Sequence, residues 1–66
     1  MTDRLLRLPA VEETIGLRKS KIYEMIGKGE FPRPVKLGTG HVNAWAASEI
    51  NAWIAAQLAE REAINA

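Results

Sequence analysis

Cysteine is absent from this 66-residue chain and histidine occurs once, at His41. Neither a disulfide nor a thiolate metal centre can form, and one imidazole cannot build a ligand cluster, so no cofactor or metal is expected. That composition fits a reducing cytoplasm. No apolar run approaches the ~20 residues that a membrane span needs, and the opening Met1-Thr2-Asp3-Arg4-Leu5-Leu6-Arg7 is too short and too interrupted for a signal peptide. The chain is therefore expected to be soluble, to stay where it is made and to have no membrane partner.

The chemistry of an enzyme is also missing. A chain this small buries only about 60% of its unfolded surface and is expected to form one domain over residues 1–66. Little volume is left for a concave site where titratable groups converge, and no small-molecule ligand is expected. Glu12 and Glu13 are neighbours on a presumed helix and point apart, as do Glu60 and Glu62 near the end. Gly38-Thr39-Gly40 lacks the further glycine and helix of a phosphate cradle, and no Ser/His/Asp set is present.

What the chain does have is charge in one place. The net charge is +1. Between Gly16 and Asn43, however, Arg18, Lys19, Lys21, Lys28, Arg33 and Lys36 face only Glu24 and Glu30, while both flanking segments are net negative. A confined basic patch is the electrostatic footprint of phosphate binding. The same lysines could instead form a solvated helix face.

Periodicity places the elements. Pro9 suits the first turn of a helix over residues 9–15, Gly16 suits its end, and Leu8 and Leu17 bracket it as apolar anchors. A second helix starts near Arg18 to Ser20 and stops at Gly29. It buries Ile22, Met25 and Ile26 and turns Ser20, Lys21, Glu24 and Lys28 outward, with Tyr23 on the flank beside Ile26. Two short helices around a glycine turn, the second basic, form a helix-turn-helix pattern. Phe31-Pro32-Arg33-Pro34 breaks regular structure. Val35-Lys36-Leu37, the Gly38-Thr39-Gly40 turn and residues 41–45 then read as a hairpin, expected to pack on the helices through Val35, Leu37 and Trp45. A third helix spans residues 47–62 with Ser48 as its cap or first-turn residue. Ile50, Trp53, Ile54 and Leu58 form its apolar stripe, and Trp53 is expected to be the anchor of the fold.

This order, carried by Leu5-Leu6-Arg7-Leu8-Pro9-Ala10-Val11, Thr14-Ile15-Gly16-Leu17, Ser20-Lys21-Ile22-Tyr23-Glu24-Met25-Ile26, Gly29 to Gly38 and Trp45 to Ile54, resembles the AlpA family of prophage regulators. These are similar to small excisionases with a winged helix-turn-helix related to the MerR DNA-binding domain. The resemblance covers residues 5–58. It implies a mainly α chain with a small β-hairpin: three helices plus a two-stranded wing. It also implies a DNA-binding transcriptional regulator of a prophage or integrated element, controlling integrase expression or excision, with double-stranded DNA as partner and the nucleoid as its place when bound. By position, Lys19, Ser20, Lys21 and Tyr23 correspond to the DNA-facing start of the recognition helix, and Arg33 and Lys36 flank the wing. The chain departs from the pattern at Arg18, where the family often has a small capping hydroxyl, and at Glu24, often basic. Its wing loop is one residue longer, with Gly40-His41 at the tip and Asn43 before Ala44-Trp45.

The candidate DNA-binding residues are thus Arg18, Lys19, Ser20, Lys21, Tyr23, Glu24, Lys28, Arg33, Lys36 and His41. His41 at the wing tip either reaches phosphate or the minor groove or is simply exposed, and Tyr23 either bonds a phosphate or packs. Glu24 either reads a cytosine or pairs with Lys28. One short helix reads little sequence, so cooperative or homo-oligomeric binding on DNA is expected. Two other functions fit the same pattern: an architectural excisionase that bends attachment-site DNA, and a small protein-interaction module acting as an antirepressor.

Overall fold

The computed structural model describes residues 3–65, with side chains through residue 62, in the order β1 (Leu5–Leu6), α1 (Leu8–Ile15), α2 (Lys19–Gly27), β2 (Val35–Leu37), β3 (Val42–Ala46) and α3 (Ala47–Asn65). Pro9 lies in the first turn of α1, where its missing N–H leaves no carbonyl unpaired. Gly16 ends that helix in the left-handed region at φ 76° and donates to the Glu12 carbonyl at 2.8 Å. The short link that follows turns the chain into α2. At the far end of α2, Gly29 is again left-handed at φ 75°. Its N–H reaches the Ile26 carbonyl at 3.1 Å, and the next N–H, of Glu30, reaches Met25 at 2.8 Å. This pair of bonds is a Schellman termination, and it delivers Phe31 straight into the core.

The core joins every layer: Val11 from α1, Ile22 and Met25 from α2, Phe31 from the link, Trp45 from β3 and Ile50 from α3. Trp45 is the largest of the fully buried side chains. Its indole N–H donates to the Pro32 carbonyl at 2.9 Å, which fixes the proline-rich link against the sheet. Trp53, expected to be the anchor, is half-buried against this core; its ring meets Phe31 edge-on at 5.0 Å and its N–H donates to the Glu30 carbonyl at 2.8 Å. The stripe of α3 fades along its length: Ile50 is buried, Ile54 is half-buried and Leu58 is 48% exposed. A helix of 19 residues spans about 28 Å, more than the small core can cover.

The two-stranded wing is present as β2 and β3, and a short further strand joins it. Three strands are present, in the order β1-β3-β2, both pairings antiparallel. The two residues of β1 are too few to leave an alternating signal in the sequence. They are held by the start of α3: the Arg4 carbonyl accepts from Ala47 N–H at 2.7 Å, and the Asp3 carboxylate accepts from Ser48 N–H at 3.1 Å and Ser48 hydroxyl at 2.6 Å. Of the two places weighed for Ser48 it takes the second, in the first turn of α3, and Asp3 caps the helix from a distance. Val35 and Leu37 are likewise not packed on the helices, being 44% and 37% exposed. They pair with Ala44 and Val42, whereas Lys36 pairs with Asn43. Side chains alternate along a strand, so the face that carries Trp45 toward the helices carries Asn43 and Lys36, and Val35 and Leu37 fall on the other.

Truncating a buried Trp removes about 3–5 kcal/mol, close to the whole stability of so small a domain. Trp45→Ala is expected to be largely unfolded, and Trp53→Ala to stay folded with a lowered midpoint. Thermal melts followed by circular dichroism check this; a cooperative Trp45→Ala transition near the parent's midpoint would contradict it. The Ser48 hydroxyl, followed by the Ser48 N–H, holds the Asp3 carboxyl below its ordinary value of 3.8. A lowered folded pKa means stability that is present above the unfolded value and lost as pH falls through the folded one. The gap in melting temperature between parent and Asp3→Asn is therefore expected to hold near neutral pH and to close below about pH 4. An equal gap at about pH 6 and about pH 2 would show that the charge of Asp3 is not what holds β1 to α3.

Candidate nucleic-acid interface

The outer side of α2 is a short charged row. Glu24 sits between two lysines, 3.2 Å from Lys21 one turn earlier and 3.4 Å from Lys28 one turn later. All three side chains are about half exposed or more. Hydrogen bonds from Lys21 and then Lys28 hold the Glu24 carboxyl below its ordinary range, and their charges add to the effect. The pairing with Lys28 weighed from the sequence is present, and Lys21 joins it. Solvent-exposed pairs of this kind stabilise a fold little. Their larger effect is to hold both lysine heads close to the middle of α2.

The start of α2 is capped without a hydroxyl. Arg18, in the cap position, makes no side-chain cap bond. Glu12 of α1 replaces it, accepting from the Lys19 N–H at 2.9 Å. The bond ties the two helices of the helix-turn-helix together. It also places a carboxylate at the positive end of the α2 dipole, where it satisfies one of the unpaired N–H groups of the helix start. Arg18, Lys19 and Ser20 are all exposed around this start.

Tyr23 links α2 to the hairpin. Its ring meets Trp45 edge-on at 6.2 Å, and its hydroxyl accepts a hydrogen bond from the Asn43 amide at 3.3 Å. Lys36 stands opposite Asn43 across the hairpin, which places it on the side of α2 that carries Tyr23. Arg33 is exposed between Pro32 and Pro34, its backbone located by the Trp45 bond to Pro32. His41 is exposed in the turn before β3. Sequence reasoning thus placed the charged side chains on the surface but missed what three residues do: Glu12 braces α2, Asp3 holds β1 to α3, and Asn43 joins Tyr23 to the hairpin. Of these Asn43 had a readable signal, since it lies two residues before a buried Trp on the same strand face.

The electrostatics and geometry describe a surface suited to a polyanion: cations from a helix and from a hairpin, set at a fixed angle by Trp45 and Tyr23. None of the described helices is long and apolar enough to cross a membrane. The family model of the prophage CP4-57 regulatory protein (AlpA) matches residues 4–58. The uncharacterized protein ORF88 of Enterobacteria phage P4 is 50% identical over 60 residues, spanning 91% of this chain and 67% of its own length. No solved structure matches the chain.

Proposed function

This chain belongs to the AlpA family of prophage regulatory proteins, and from that premise we propose that it is a sequence-specific DNA-binding regulator of a prophage or integrated element, acting on integrase expression or excision. The observation that carries the reading is that exposed cations stand both on α2 and on the hairpin that Tyr23 and Asn43 join to it. In the proposed complex α2 enters the major groove, which is about 12 Å wide and admits a helix. Lys21 and Lys28 then reach phosphates along α2, while Lys36 and Arg33 meet the backbone from the wing. Arg18, Lys19 and Ser20 face the edge of the groove, and His41 reaches furthest along the wing tip. Phosphate contacts of this kind set orientation, and base selection falls to the few side chains that reach base edges.

Glu24 has a defined part in this reading. As long as it bridges Lys21 and Lys28, it offsets part of their attraction to phosphate. Glu24→Gln keeps the shape and releases both cations, so binding to every duplex should tighten. A loss of selectivity at a single base pair would instead make Glu24 a reader of cytosine through its N4 amino group.

A mobility-shift titration over salt tests the proposal. Affinity should fall linearly on a log–log plot of binding constant against salt, and Lys21→Ala or Lys36→Ala should each flatten that slope by about one unit while weakening all sequences alike. An affinity that does not respond to salt, or a parent chain that shifts no duplex, would contradict the reading.

A further inference from the structure

Asn43 is the one polar side chain on the helix-facing side of β3, and its amide is only half satisfied. Nδ2 donates to the Tyr23 hydroxyl at 3.3 Å, but Oδ1 is buried without a hydrogen-bond partner among the described residues. A buried, unpaired carbonyl lowers stability, and an apolar side chain at this place would avoid that cost. The orientation of the amide follows from the same principle: turned over, it would bury an NH2 group with two unpaired donors in place of one carbonyl. With Nδ2 on the phenol oxygen, one lone pair of the hydroxyl is engaged. Its proton is then left to point away from Asn43. Tyr23 is 36% exposed, and Lys36 lies across the hairpin from Asn43 on the same face. Among the described residues, a hydrogen-bond donor and a cation without partners therefore share the junction of α2 and the wing.

We infer that Asn43 is a positioning residue for contact with the DNA backbone: it holds the Tyr23 hydroxyl as an outward-facing donor to one phosphate oxygen beside Lys36. The inference rests on the DNA-binding reading above. It gives a use to an amide that the fold itself does not need, and it makes the Tyr23 contact depend on a residue that touches no DNA.

The test is a double-mutant cycle on the full chain, with duplex affinity read by fluorescence anisotropy and a thermal melt for each variant. Tyr23→Phe and Asn43→Val are each expected to weaken binding about tenfold, the worth of one hydrogen bond to a charged oxygen. The double variant should be no weaker than either single one. The salt slope should stay at the parent's value, because a neutral donor displaces no counterion. Asn43→Val should melt at or above the parent's midpoint. Additive losses, parent-like affinity in Asn43→Val, or a lower melting point for it would each overturn the inference while leaving DNA binding in place. A parent chain that binds no duplex would overturn both the inference and the function on which it rests.

Discussion

The burial of Trp45 is the constraint on which the remaining structure depends. Its indole is fully buried, its N–H is bonded to the Pro32 carbonyl, and the Tyr23 ring leans on it from α2. One side chain thus sets three relationships: the sheet to the helices, the proline-rich link to the sheet, and the outer face of α2 to the hairpin. Val11, Ile22 and Ile50, also fully buried, fill the space around it but connect fewer parts.

Strand alternation carries that constraint outward. Once Trp45 points to the helices, Asn43 must do so too, and Lys36 follows by register. The apolar residues Val35 and Leu37 then fall on the opposite face, where both remain exposed although their partner Ala44 is buried. The hairpin therefore presents its charge toward the α2 side, and the position of the cations is a consequence of core packing. The helix-turn-helix is braced in a similar way, by the Glu12 carboxylate on the Lys19 N–H. β1 is held by Asp3 on Ser48. In both places an acidic side chain from another element does the work that a local capping residue does elsewhere.

Much of the architecture was legible in the sequence because it is written in local signals. Pro9, Gly16 and Gly29 mark helix ends, and Ile22, Met25 and Ile26 mark the inner face of α2. The hairpin was legible from its glycine turn. What escaped was set by tertiary contacts. β1 is too short for periodicity, and Trp53 has the right spacing but sits at the rim, whereas Trp45 gave no sign from its own neighbours of being the deeper of the two. The charged side chains could be placed on the surface from periodicity alone. Glu12 and Asn43 bond partners 7 and 20 residues away, so those bonds leave no local pattern, although strand alternation with Trp45 marks the face of Asn43.

The central claim is that α2 and the hairpin form one DNA-facing surface, fixed from behind by Trp45. Backbone amide shifts in a solution NMR titration of the chain with a short duplex measure this most directly. The account expects perturbed amides in two groups, residues 18–28 and 36–43, moving together at one apparent affinity. Perturbations concentrated on the exposed outer face of α3, over residues 51–62, with α2 and the hairpin unmoved, would contradict it.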